Sequence, residues 1–276
     1  MDSNGINLEL FDFPEPKKTP VVSREKKQQR QEIGWNPWHG CHKVSAGCKN
    51  CYVYRIDANH ERDSREIRLT QSFGLPVQKK RDKSYRIPSG SLVATCFSSD
   101  FFIQEADAWR SKAWEMIRER RDLYFFMITK RIDRFYEQLP NDWGKGYVNV
   151  AIGCTVENQE MADYRLPLFR AAPIRKKSII CEPLLEKIDL SSYLDNSISQ
   201  VIVGGESGPG ARPCHYDWVL ALRAQCIDCN TSFVFRQTGA KLVKDNKLYR
   251  IRRPLQFSQA RKAGIDFFST IVIRRS

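Results

Sequence analysis

Along the chain, apolar residues fall into short unbroken runs at Leu92–Phe97, Leu123–Ile128, Val148–Cys154, Ser178–Cys181, Gln200–Val203 and Ser232–Phe235. Runs that are continuous instead of alternating predict strands buried on both faces, the pattern of a parallel sheet. Between them the spacing changes to the helical period. Over Glu105–Arg121 it gathers Ala106, Trp109, Ala113, Met116 and Ile117 on one face, with Arg120 in the same register, and Asn158–Ala171 and Tyr216–Cys226 read the same way. The alternation predicts an α/β protein with at least six βα units. With no break in composition among them, one barrel, open or closed, is favoured over two domains, although a doubly wound sheet carries the same local signals. The charged stretch Lys79–Arg86 interrupts the pattern and reads as a solvated surface loop.

The first 30 residues are different. They carry three prolines by position 20 and then the polar run Ser23–Arg30, with too little apolar surface to offset the entropy of ordering. Residues 1–30 are therefore expected as a flexible tail and 31–276 as the folded domain. Within the tail, Asn7-Leu8-Glu9-Leu10-Phe11 is similar to the pentapeptide that docks bacterial replication and repair proteins on the sliding clamp, through Leu8, Leu10 and Phe11. A segment that merely packs on its own domain is the alternative.

Composition narrows the partners. With 41% hydrophobic and 28% charged residues, the chain is neither fibrous nor wholly disordered. No apolar run approaches the roughly 18 residues of a membrane helix, and the N-terminus lacks a secretory pattern, so no membrane partner and a cytoplasmic location are expected. The net charge is +13, and residues 241–276 hold ten basic against two acidic side chains, a local +8. Such a field favours polyanions, DNA or nucleotides among them, with a solubilising basic face as the plain alternative.

Nine cysteines in a chain without an export signal argue against a disulfide framework and for metal ligation or burial. Cys41, Cys48 and Cys51 stand in the spacing C-x6-C-x2-C, within a loop that Pro37, Gly40 and Gly47 allow to curl, just before a helical stretch over Tyr52–Arg62. Three soft thiolates suit a 4Fe-4S cluster with one open iron. They suit zinc if His39 or His42 adds a fourth donor, and unliganded buried thiols remain a third reading.

This segment, with Ser98-Ser99-Asp100, Ile128-Thr129-Lys130-Arg131, Gly153–Gln159, Cys181-Glu182-Pro183-Leu184-Leu185 and Val201–Pro213, resembles the three-Cys-motif family encoded by phages and prokaryotes. That family is similar to a divergent branch of the radical S-adenosylmethionine superfamily, and the match runs from about Gly34 to Gly239. The resemblance implies a single partial (βα)6-type, TIM-like barrel in which Cys41, Cys48 and Cys51 hold a 4Fe-4S cluster. S-adenosylmethionine would chelate the open iron, with an electron donor such as flavodoxin or ferredoxin, and reductive cleavage would give methionine and a 5′-deoxyadenosyl radical. Three departures stand out: the superfamily's commonest spacing is C-x3-C-x2-C, the aromatic usually just before its last cysteine is replaced by Asn50 with Tyr52 following, and its Gly-Gly-Glu stretch after the second strand is absent there, while Gly204-Gly205-Glu206 follows a late strand.

Reactive groups of parallel barrels lie at the C-terminal ends of strands. Reading those ends gives Ser98, Ser99 and Asp100, then Thr129, Lys130 and Arg131, then Thr155, Glu157 and Asn158, then Glu182, then Glu206 and Ser207, and finally Arg236 and Gln237. Of these, Glu182, Glu206 and Lys130 are the candidate catalytic residues. Tyr52, Ser99, Asp100, Glu157, Gly204 and Gly205 are the candidate cofactor contacts, with helix caps and ion pairs as the alternative for the charged ones. Gly204–Gly210 also resembles a phosphate-cradling loop. Cys226 and Cys229, with Cys214 and His215 upstream, would make a second metal site if they converged, but a helix over Tyr216–Cys226 would separate Cys214 from Cys226, so they read as buried or exposed thiols, and Cys96, Cys154 and Cys181 read as small core residues, with a catalytic thiol as the alternative. Three functions compete: a radical S-adenosylmethionine-type enzyme acting on a nucleic acid or nucleotide, a nucleic-acid-binding protein with a structural zinc or iron–sulfur site, and a metal-independent phosphotransfer or hydrolytic barrel.

Overall fold

The computed structural model describes residues 31–269, so the 1–30 tail and its Leu8, Leu10 and Phe11 lie outside the described residues. In chain order the strands are β1 (Glu32–Trp35), β2 (Trp38–His39), β3 (Arg68–Leu69), β4 (Leu92–Thr95), β5 (Tyr124–Thr129), β6 (Val150–Thr155), β7 (Lys177–Cys181), β8 (Ile198–Gly204), β9 (Cys214–His215), β10 (Ser232–Gln237), β11 (Lys241–Lys244) and β12 (Lys247–Arg250). The α-helices are α1 (Tyr52–Ala58), α2 (Asp107–Glu119), α3 (Gln159–Ala171), α4 (Tyr216–Asp228) and α5 (Gln256–Lys262).

Seven strands form one sheet in the order β1-β4-β5-β6-β7-β8-β10, with every neighbouring pair parallel. The sheet curls into a half-barrel whose edges, β1 and β10, do not pair. Alternate residues divide between its faces, as strand geometry requires. Leu92, Ala94, Tyr124, Phe126, Ala151, Ile180, Ile202 and Val234 form a small inner cluster. Val93, Phe125, Met127, Ile152, Ile179, Val201 and Phe233 join a larger outer core under the helices, with Trp114, Ile117, Leu166, Phe169, Val219 and Leu222. Both faces are apolar, and for this reason the runs read as continuous.

All six expected strands occur, with ends moved by at most two residues. β1 escaped the pattern because Glu32-Ile33-Gly34-Trp35 is an edge strand, half-exposed and interrupted by glycine. The regular βα alternation does not hold throughout. The β5–β6 connection carries only a 3-10 turn, Ile132–Arg134, and no α-helix lies between β7 and β8. On α2, the buried face is turned toward Arg110 and Trp114, with Trp109 only partly covered. Arg110 is fully buried because its guanidinium bonds the Phe101 and Ile103 carbonyls and Asp107. α1 ends at Ala58, short of the expected Arg62. Lys79–Arg86 is a mostly exposed loop, anchored by Tyr85, whose ring lies 3.9 Å from the Arg120 guanidinium. A small sheet, β12-β11-β9, was not legible as strands, although its hairpin turns on Asp245 and Asn246, both at positive φ, a signature of a two-residue turn. Among the described residues, no helix is long and apolar enough to cross a membrane.

Candidate functional site

The cysteine loop lies across the C-terminal ends of the parallel strands and is tied to four of them. After β4, the Ser98 carbonyl accepts the Gly40 amide at 3.2 Å, and the Ser99 hydroxyl donates to the Gly40 carbonyl. Gly40 has φ +95°, and a Cβ there would lie 2.5 Å from the Glu66 carbonyl oxygen, so the bend needs glycine. After β5, Arg131 reaches the loop directly: its Nη2 donates to the His42 carbonyl at 2.7 Å, and its Nη1 lies 3.5 Å from the Cys41 Sγ. Asp100 holds that guanidinium at 3.3 Å while accepting from the Thr129 hydroxyl and from the Lys130 and Phe102 amides.

After β6, the fully buried Glu157 accepts the Gly47 amide at 2.9 Å and pairs with the buried Arg165 of α3 at 2.9 Å. A Cβ on Gly47 would lie 2.9 Å from the Glu157 Cδ, so loop and carboxylate are in contact. After β8, Glu206 accepts the Asn50 side-chain amide at 2.9 Å and binds Arg212 through both carboxylate oxygens, while the Arg212 Nη2 also donates to the Ala46 carbonyl at 3.0 Å. Burial pushes the Glu157 and Glu206 carboxyls up, but the donors and cations around them more than offset this, leaving both below the usual carboxylate range.

These contacts give most of the expected site residues a definite task. Ser99, Asp100, Glu157 and Glu206 hold the cysteine loop. Gly204 and Gly205 are buried packing positions: a Cβ on Gly204 would lie 2.8 Å from the Glu182 Cδ, and one on Gly205 would collide with the Thr238 carbonyl. Glu182 pairs with Arg236 at 2.7 Å and accepts from the Gln237 side chain. The Tyr52 hydroxyl donates to the Phe97 carbonyl, and burial pushes its phenol upward. Lys130 is half-buried and lends its charge to Glu157. Asn158, read as one of the polar strand ends, is the N-cap of α3 and accepts the Met161 amide at 3.0 Å. The cations Arg165 and Arg212 were not singled out as site residues; an arginine inside an apolar helical stretch, as in Tyr164-Arg165-Leu166-Pro167-Leu168-Phe169, was the signal for the first.

Cys41, Cys48 and Cys51 are free thiols, each partly exposed. Burial pushes the Cys41 thiol up to about 11, opposed by the Arg131 charge. Among the described residues, no three His, Cys, Asp or Glu side chains are arranged as a preformed ion site. A recess of about 330 Å³ opens beside the loop, lined by Asn50, Cys51, Tyr54, Arg55, Pro209 and Gly210. A second, of about 380 Å³, lies beside α2 between Trp114, Arg118, Asp142 and Tyr147 and includes no cysteine. Of the remaining six cysteines, Cys96, Cys154, Cys181, Cys214 and Cys226 are buried, with thiols pushed up by that burial, and Cys229 is partly exposed. His39 and His42 point to other partners, Asp57 at 2.9 Å and Glu105 at 2.7 Å.

The fold and this loop define an α/β protein in which a three-cysteine segment is held across the ends of a parallel half-barrel. Residues 27–265 match the family described as a protein of unknown function (DUF5131), and the chain belongs to that family. No curated protein and no solved structure matches it.

Proposed function

We propose that the chain is an iron–sulfur enzyme of the radical S-adenosylmethionine type, with a partial (βα)-barrel scaffold, acting on a nucleic acid or nucleotide. One observation carries the reading. Polar groups after β4, β5, β6 and β8 are spent on fixing a loop that bears three partly exposed thiols. The donor set fits: three soft sulfurs and no carboxylate suit iron–sulfur ligation, and a cluster takes each thiolate at a separate iron, which asks for wider spacing than a single ion does. The open recess beside Cys51 leaves room for a second ligand.

When bound, a 4Fe-4S cluster with S-adenosylmethionine supplies one-electron reductive cleavage of a sulfonium, fed by a donor such as flavodoxin or ferredoxin. The chain's own residues bind and orient. Cys41, Cys48 and Cys51 would hold the cluster, Glu157 and Glu206 keep the loop in place, and the Arg131 guanidinium offers an N–H to the Cys41 sulfur, an outer-shell bond of the kind that tunes cluster potentials. The engagement of Glu206 by Arg212 and Asn50 weighs against a phosphotransfer or hydrolytic reading that needs that carboxylate free.

The test is anaerobic purification with iron, sulfide and zinc analysis, followed by dithionite reduction with S-adenosylmethionine. About four irons per chain, as the cluster stoichiometry requires, and 5′-deoxyadenosine formation lost in C41A, C48A and C51A are expected. Zinc without iron would overturn the reading in favour of a structural metal site.

A further inference from the structure

Beside the cysteine loop, three arginines converge from three elements. Arg236, near the end of β10, places Nη1 2.7 Å from the Glu182 carboxylate, and its Nε is buried with no hydrogen-bond partner among the described residues. Its guanidinium lies 5.2 Å from the Phe257 ring of α5, and the Arg253 guanidinium lies 5.6 Å from the same ring. Arg55 stands one turn along α1 from Cys51, at the wall of the open recess, and its guanidinium packs on Gly208, whose φ of +106° and lack of a Cβ admit it. Neither Arg55 nor Arg253 makes a side-chain hydrogen bond or ion pair among the described residues.

The charges do not balance. Arg253 is held below its ordinary value, first by desolvation of its packed side and then by the Arg236 charge, with Glu182 opposing and Arg55 adding to the effect. Glu182 is already divided between Arg236 and Gln237, and Glu32, at the start of β1, feels Arg236 without pairing with it among the described residues. Like charges gathered around one aromatic ring, with donors left over, are complementary to an oxyanion that several guanidinium forks can share.

We infer that Arg55, Arg236 and Arg253 form an anion subsite that takes a phosphate group of the substrate, from a free nucleotide or from a nucleic-acid strand, and orients it toward the recess at Cys51. A phosphate offers more acceptor oxygens than a carboxylate and so answers more of these donors. The role as substrate subsite rests on the enzyme reading above, whereas anion binding itself does not need the cluster.

The experiment uses the full chain, both as purified and after iron removal. It measures anisotropy of a fluorescein-labelled single-stranded 12-mer, with inorganic phosphate, AMP and methionine as competitors. Arg55→Gln and Arg253→Gln are the variants, since neither side chain holds another residue in place, and Arg261→Gln on α5 is the control. Each subsite variant is expected to weaken 12-mer binding about tenfold and to flatten its salt dependence by about one phosphate contact, while R261Q changes neither. Direct AMP binding by calorimetry that R55Q and R253Q weaken, with no binding of the 12-mer, would name a free nucleotide as the source. Equal binding by wild type and both variants, no binding of any phosphate, or competition by methionine alone would overturn the proposal. Iron-free protein must bind as well as loaded protein, so a failed iron analysis and a failed anion site are separate results.

Discussion

Glu157 has no exposed surface, and its carboxylate is shared between the Arg165 guanidinium and the Gly47 amide, each at 2.9 Å. A charge so placed is tolerable only because its partner is equally buried, and removing one member strands the other, at a cost of about 3–5 kcal/mol. Glu157→Gln is therefore expected to lower unfolding free energy by roughly 3 kcal/mol, read from denaturant midpoints at unchanged m-value. The pH dependence follows from the sign of the shift. A carboxyl lowered by folding contributes stability that is present above its unfolded value and is lost as pH falls through the folded one. Wild-type stability should accordingly drop below about pH 4.5, and the E157Q drop should be shallower. A variant as stable as wild type and equally acid-sensitive would show that the ion pair carries no net weight.

At the scale of elements, the strand ends do two jobs, closing helices and gripping the cysteine loop, and Asn158 separates them. Its side chain caps α3 by accepting the Met161 amide. Asn158→Ala should cost about 1 kcal/mol of stability, as caps do, while leaving iron content unchanged; a variant that folds normally but loses iron would place Asn158 in the site instead. The same division explains what was legible in the sequence. Strands β4 to β8 and β10 declare themselves because both faces are buried, and α3 and α4 because their period is helical. β1 and the β11–β12 hairpin are edges, whose exposed residues carry no apolar run. The three cysteines were visible as a cluster, but their supports were not, because Asn50 meets Glu206 across 156 positions, Gly47 meets Glu157 across 110 and Arg131 meets Cys41 across 90. Sequence periodicity reports which face is buried; it carries no information about which polar strand end a distant loop will meet. The carboxylates Glu157 and Glu206 were accordingly found at strand ends and read, the first as a cofactor contact and the second as catalytic, where the structure ties both to the loop.

For the molecule as a whole, the decisive question is whether a metal would hold the fold or merely occupy it. The outer core extends from Trp35 and Val93 at one edge of the sheet to Phe233 and Phe235 at the other, under α2, α3 and α4, and Cys41 packs on it only from the rim. Cys48 and Cys51 are not part of it. A domain of this length buries roughly 70–75% of its unfolded surface, and each large apolar side chain in such a core contributes on the order of 2 kcal/mol. Small zinc modules are the opposite case, since about 10–16 kcal/mol of metal binding supplies their folding free energy. Chelation, or the triple C41S/C48S/C51S variant, is therefore expected to leave the far-UV spectrum and a cooperative thermal transition intact. Protease sensitivity should rise only around residues 41–51, because the Gly40, Gly47 and Asn50 tethers, made by protein groups alone, still hold the loop. Global unfolding on metal removal would reverse this assignment: the cysteines would then be structural ligands, and the basic C-terminal sequence, with ten cations in residues 241–276, would have to carry the function by binding alone.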